Sequence, residues 1–199
     1  LVECSMLQSL SLLACPLSEK NIQGLIHSNT MFAMTLGAPL ISVGRIIPTQ
    51  IAVFAQWNSA EDLDRFLTNH KWGKWINGGY HLRLSYLRQW GSFSGYKIPS
   101  NSSIKHPDNL PVVAVTIARM KILAFPRFIS WGRPAEKLVR DHPNTFLSLA
   151  SIQFPNTVST FSIWDSTPAM TNMVHGHSKV AQPKRHHNAM KERNRKDFH

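Results

Sequence analysis

The sequence is short of cysteine, of long apolar runs and of acidic side chains, and each shortage narrows what the protein can be. Its two cysteines, Cys4 and Cys15, both lie near the start of the chain. A disulfide between them would close a short loop and brace nothing remote, so a reducing, cytoplasmic location is the default expectation. The greasiest stretch, residues 31–47, is broken by Gly37, Pro39, Gly44 and Arg45, whereas a membrane-spanning helix needs roughly 20 uninterrupted apolar residues; no membrane span is expected. Residues 1–17 are leucine-rich but lack the basic flank that precedes a signal-peptide core. Also missing are a Gly-x-Ser-x-Gly elbow, a phosphate-binding glycine loop and a dinucleotide fingerprint, which argues against hydrolytic and nucleotide chemistry.

Acidic residues number 11 against 22 Lys and Arg, giving a formal charge of +11 and a pI near 10.1. Such a balance favours anionic partners, nucleic acid first among them. The distribution weakens that reading. Much of the excess sits between residues 184 and 196, where Lys184, Arg185, Lys191, Arg193, Arg195 and Lys196 face Glu192 alone. A run of this kind is usually a solvated helix face, and nucleic acid is not expected as the partner. With 199 residues, 43% of them hydrophobic, the chain can form one large domain or two small ones sharing a core.

What is present is an internal similarity. Val53-Phe-Ala-Gln-Trp57-Asn-Ser59 and Thr160-Phe-Ser-Ile-Trp164-Asp-Ser166 share a frame: an alternating apolar strand ending in Trp, then an Asx residue, then Ser. Asx or Ser at such a junction accepts from the free N–H groups of a first helical turn, and Glu61 and Asp62 suit the helix dipole. A strand therefore turns into a helix at both places. Thirteen residues after each Trp comes a histidine, His70 and His177.

Upstream of each Trp lies another apolar run, Met31–Leu36 and Thr145–Ala150. Pro111–Arg119 is β-branched and precedes a helical pattern over Phe125–Arg140. The corresponding first helix is expected over Ser18–Ile26, and the alternation in Tyr80–Arg88 predicts a closing strand. The expected order is β-α-β-β-α-β twice over. This is an α+β fold: two ferredoxin-like repeats packed as a pseudo-dimeric α/β barrel, with the last strand of the second repeat missing. The expected boundaries are 1–90 for the first repeat, 91–109 for a Pro/Gly/Ser-rich linker, and 110–199 for the second repeat with its basic C-terminal helix. A sheet edge lacking its last strand calls for cover, which a homo-oligomer would supply.

Several of these segments resemble the spheroidene monooxygenase family, whose members are similar to dimeric α/β-barrel monooxygenases. The resemblance is carried by Thr116-Ile-Ala-Arg119-Met-Lys121, by Phe128 with nearby Trp131, and by Thr160-Phe-Ser-Ile-Trp164-Asp-Ser166. Weaker parts are Met31–Gly37, Trp90-Gly-Ser-Phe-Ser-Gly95 and His186-His187-Asn-Ala-Met190. Ile117 stands where the family has arginine, Ser151 and Gln153 stand where it has glycines, and the family's terminal strand is absent. The resemblance implies oxygen-dependent modification of a carotenoid, with haem as cofactor.

A haem site needs an imidazole ligand, an apolar pocket and cations for the propionates. The second half offers His177, which matches His70 in the repeat, then His186 and His187 on the family-like helix, with Arg119, Lys184 and Arg185 as cations. Phe128, Phe161, Trp164, Met170 and Met173 are the expected pocket. No carboxylate or cysteine accompanies the histidines at a zinc-ligand spacing. The leading expectation is a haem-dependent monooxygenase acting on a hydrophobic, carotenoid-like or other lipid substrate, its electron donor unidentified. The alternatives are a cofactor-free α/β-barrel oxygenase, and a non-catalytic binding or assembly module in which Ile117, Ser151 and Gln153 mark a lost site.

Overall fold

Both Trp-Asx-Ser junctions turn strand into helix through the serine. Ser59 Oγ accepts from the Asp62 N–H at 3.2 Å, and Ser166 Oγ accepts from the Ala169 N–H at 3.3 Å. The Asx residue before each serine ties its backbone N–H to the residue that precedes the neighbouring strand, Asn58 to the Gly24 carbonyl and Asp165 to the Asn144 carbonyl. These relations belong to a computed structural model that describes residues 1–39, 42, 44–98 and 105–196. The fold is α+β. Two units make it up, one formed by residues 1–33 and 47–105, the other by 34–46 and 106–199.

Unit one carries β1 (Val2–Glu3), α1 (Met6–Ala14), β2 (Leu25–Met34), β3 (Ile46–Trp57), α2 (Ala60–Asn69) and α3 (Lys71–Asn77). The ends of β2 and β3, Met34 and Ile46, count with the other unit. β3 lies between β1 and β2. Leu12, Leu17, Ile22, Ile51, Phe66 and Leu67 are buried together, with Trp57, Trp72 and Trp75 packed against them. Helix α1 starts at a capping box: Ser5 Oγ accepts from the Gln8 N–H, and the Ser5 N–H donates to Gln8 Oε1. Helices α2 and α3 cross at Gly73, where a Cβ would lie 1.8 Å from the Phe66 carbonyl oxygen.

Unit two carries β4 (Val112–Arg119), α4 (Phe125–Arg140), β5 (Thr145–Gln153), β6 (Thr157–Trp164), α5 (Thr167–His175) and α6 (Arg185–Arg195), with a 3-10 turn at Ile122–Ala124. β6 runs antiparallel between β4 and β5. The element order and pairing scheme thus repeat those of unit one: the first strand joins the third, and the third joins the second. Antiparallel register puts Ala150 opposite Thr160 and Ile152 opposite Val158 on one face of the pair, and Ser151 opposite Ser159 on the other. Trp164 is fully buried and its indole N–H donates to Ser162 Oγ at 2.8 Å. Helix α5 ends at Gly176, whose φ of +79° supplies the left-handed cap that lets the His177 N–H return to the Asn172 carbonyl at 2.8 Å. Helix α6 docks on α4 through Glu192, which binds Arg127 Nη1 at 2.8 Å and Arg195 Nε at 2.8 Å.

Two expected elements are corrected. The first helix of unit one is Met6–Ala14, not Ser18–Ile26; residues 18–24 form turns, and β2 already begins at Leu25. Ser5 and Gln8 supply a start signal, whereas Gly24 at φ +81° interrupts any helix over 18–26. The alternating segment Tyr80–Arg88 is not a strand either. Tyr80 exchanges a pair of backbone hydrogen bonds with Leu1, and no strand among the described residues pairs with the rest, so Leu82, Leu84 and Tyr86 stay exposed. Alternation marks a surface that can pair; a strand also needs a partner. Among the described residues, both units therefore read β-α-β-β-α-α. Of the expected linker, residues 99–104 lie outside the described residues, while 96–97 attach to β3: the Tyr96 hydroxyl donates to the Phe54 carbonyl, and the Lys97 N–H donates to Gln56 Oε1 at 2.7 Å. Both cysteines are free thiols.

Candidate functional site

A cavity of about 160 Å³ lies in unit two, between α4 and the face of β5 and β6 that carries Ala150, Ile152, Val158 and Thr160. Helix α4 contributes Phe125, Phe128, Ile129 and Glu136, and the segment from residue 34 to 46 contributes Met34, Arg45 and Ile46. The helical spacing explains the first set: residues 125, 128, 129 and 136 recur at three, four and seven positions and so share one stripe. That stripe is apolar except for Glu136.

The cavity's charged residues are Arg45 and Glu136, with side chains only 8% and 11% exposed. Arg45 Nη2 lies 3.6 Å from Glu136 Oε2, and the same oxygen accepts from the Gly37 N–H at 2.9 Å. Arg45 Nη1 donates to the Ala38 carbonyl. Two arginines of α4 hold the same loop, Arg133 Nε on the Gly37 carbonyl and Arg140 Nη1 on the Leu36 carbonyl, each at 3.3 Å. Gly37 has φ of +73°, and a Cβ there would meet Lys137 Cγ at 2.8 Å, so both conformation and close approach call for glycine.

Of the residues expected from sequence to form a pocket, Phe128 lines this cavity. Trp164, Phe161, Met170 and Met173 are buried elsewhere in the unit. Trp164 packs against the His142 ring at 5.0 Å, and Phe161 points to the opposite face of β6 from Trp164. Met170 and Met173 are the buried residues of α5.

The histidines stand apart from the cavity. His177 is exposed just beyond α5, with its ring centroid 6.2 Å from that of His175. His186 and His187 are half-buried on α6. His186 Nδ1 lies 3.1 Å from the Val174 carbonyl. Burial pushes the His186 pKa down, the Val174 contact opposes that, and His175 and His187 add to it. Arg119 is exposed at the end of β4, opposite Thr157, and Lys184 is exposed ahead of α6. Among the described residues no group of three or more metal-binding side chains comes together. His70 borders an open groove in unit one, but its Nδ1 accepts from the Trp72 N–H at 3.2 Å as the cap of α3.

These residues do not fit a haem at the α4 cavity. Pockets that hold drug-sized ligands span roughly 300–1,000 Å³, the present one is about 160 Å³, and no histidine lines it. Sequence reasoning missed Arg45 and Glu136. A lone carboxylate on the apolar stripe that begins at Phe125 was the available signal for Glu136; nothing local marked Arg45, which reaches the site only through the fold.

No protein-family model matches the chain, and no curated protein matches it. Among solved structures it is similar to a candidate monooxygenase from Fusobacterium nucleatum at 12% identity, over 94% of this chain and 77% of that one, with a TM-score of 0.38. A candidate monooxygenase from Lactobacillus acidophilus is similar at 7% identity over 97% of this chain and 84% of that one, TM-score 0.36. An anthrone oxidase-like protein is similar at 13% identity over 98% and 82%, TM-score 0.32. Such identities transfer no residue roles.

Proposed function

We propose that the protein binds a small hydrophobic molecule in the α4 cavity and acts on it as a monooxygenase that does not use haem. The observation that carries the binding is the cavity itself: about 160 Å³, walled by Phe125, Phe128, Ile129 and Ile152, with charge confined to Arg45 and Glu136. A cavity near 150 Å³ holds one benzene-sized molecule, which favours a compact substrate over a long polyene. The oxygenase reading is supported by the resemblance of Thr116–Lys121 and Thr160–Ser166 to a monooxygenase family. In the cofactor-free form of this reaction the substrate itself gives the electrons to dioxygen, keeping one oxygen atom while the other leaves as water, and an apolar enclosure suits that chemistry by keeping bulk water from the reactive intermediate.

The test is calorimetric titration of the purified protein with single-ring hydrophobic compounds, followed by incubation of the tightest binder under ¹⁸O₂. Saturable binding, lost when Ala150→Leu fills the cavity in a protein whose circular dichroism is unchanged, supports the site. Incorporation of one ¹⁸O atom with no haem added supports the reaction. Binding without product identifies a non-catalytic binding module, and no binding by folded protein overturns the site.

A further inference from the structure

The α4 cavity carries information about its ligand beyond size. Arg45 is 7% exposed. A guanidinium has five N–H donors, yet among the described residues this one makes a single hydrogen bond, to the Ala38 carbonyl, and an ion pair at 3.6 Å, beyond hydrogen-bond length. On Glu136, Oε2 receives the Gly37 N–H at 2.9 Å. A donor with spare capacity and an acceptor thus stand side by side on a wall whose other polar side chains among the described residues are the hydroxyls of Ser159 and Thr160.

Charge decides which ligand suits them. The pair is neutral as a unit, one cation and one anion, both nearly buried. A ligand carboxylate would place two anions beside one cation in an apolar enclosure, and an ammonium would do the converse; an uncompensated buried charge costs several kcal/mol. A hydrocarbon would enter but leave the donors unused. A hydroxyl group serves both partners, since its oxygen accepts from a guanidinium and its proton can be donated to a carboxylate.

We propose that the α4 cavity selects a neutral, single-ring molecule bearing a hydroxyl group, with that group between Arg45 and Glu136. This rests on the reading of the cavity as a binding site. Arg45 and Glu136 determine specificity, and Phe125, Phe128 and Ile129 hold the ring.

Titration of the full chain with phenol, toluene and benzoate separates the possibilities, because the three are close in size and differ in polarity and charge. Phenol is expected to bind about tenfold more tightly than toluene, the worth of a hydrogen bond to a charged group, and benzoate more weakly than either. Glu136→Gln keeps the side-chain volume and an acceptor for Gly37 but leaves the guanidinium charge unbalanced; there benzoate should gain on phenol. Toluene binding as tightly as phenol overturns the hydroxyl preference while leaving the cavity reading intact. Benzoate as the tightest ligand of the native chain overturns the charge argument. If none of the three binds to folded protein, the cavity reading falls as well. The native panel decides the matter even if the variant is unstable.

Discussion

Arg45 and Glu136 meet across 91 positions of sequence, and Glu136 Oε2 takes both the Arg45 guanidinium, at 3.6 Å, and the Gly37 N–H, at 2.9 Å. One carboxylate oxygen thus fastens the loop to α4 at two points. Removing it by Glu136→Ala would leave a nearly buried guanidinium without its counter-ion, and a loss of about 3 kcal/mol is expected. Chemical denaturation of the variant measures it. The double variant Arg45→Met with Glu136→Leu should regain most of the loss, because a cavity wall without charge carries no desolvation cost. A single variant as stable as the native chain would show that the loop is held by Arg133 and Arg140 alone.

Two helical glycines should respond in opposite directions to alanine. At Gly73 an added Cβ would lie 1.8 Å from the Phe66 carbonyl oxygen and 2.6 Å from its carbon, both backbone atoms that cannot turn aside. Gly73→Ala should cost about 3 kcal/mol through forced separation of α2 and α3. At Gly132, within α4, the nearest atom to an added Cβ is in the Phe128 ring at 3.7 Å, an ordinary contact. Gly132→Ala should therefore stabilise by about 0.5–1 kcal/mol, through reduced freedom of the unfolded chain. Melting temperatures of the two variants check the pair.

Acid should weaken unit two in two stages. Burial pushes His142 below its ordinary 6.5, with Asp165 pulling the other way, and burial likewise lowers His186. A histidine whose folded pKa lies below its unfolded value contributes stability that is complete above the unfolded value and is lost as pH falls toward the folded one. The first loss should thus begin as pH drops below 6.5. Glu192 is held at about 2, below its ordinary 4.5, first by its Arg195 hydrogen bond and then by Arg127. Its contribution is present above 4.5 and disappears as pH falls toward 2. Unfolding followed from pH 7.5 to 5 should show a declining stability that flattens in a His142→Gln, His186→Gln double variant. An unchanged slope would mean that neither imidazole is desolvated in solution.

Much of the fold was legible where local chemistry and tertiary need agree. The Trp-Asx-Ser frames turn strand to helix because a serine hydroxyl reaches the free N–H groups of the turn it begins. Phe125–Arg140 reads as a helix with the bounds that it has, Pro126 near its start and Lys137 and Arg140 in its last turn. The failures have definite causes. The start signal of helix α1 is the Ser5–Gln8 capping box rather than an apolar period, and the alternation in Tyr80–Arg88 has no partner strand to serve among the described residues.

The candidate site was less legible. Phe128 was in reach because it lies on a periodic apolar stripe. The histidines drew attention by number and spacing, yet His177 projects beyond the left-handed cap at Gly176 and is exposed, and the half-buried His186 borders no described cavity.

The sequence by itself determined the α+β class and the two strand-to-helix junctions at Ser59 and Ser166, because strand period, helix period and capping act within a few residues. Only the tertiary structure decided where the cavity lies and what charges it. Arg45 and Glu136 come together because residues 34–46 pack in the same unit as α4, and the burial that makes an ion pair matter is a property of packing that no local pattern contains.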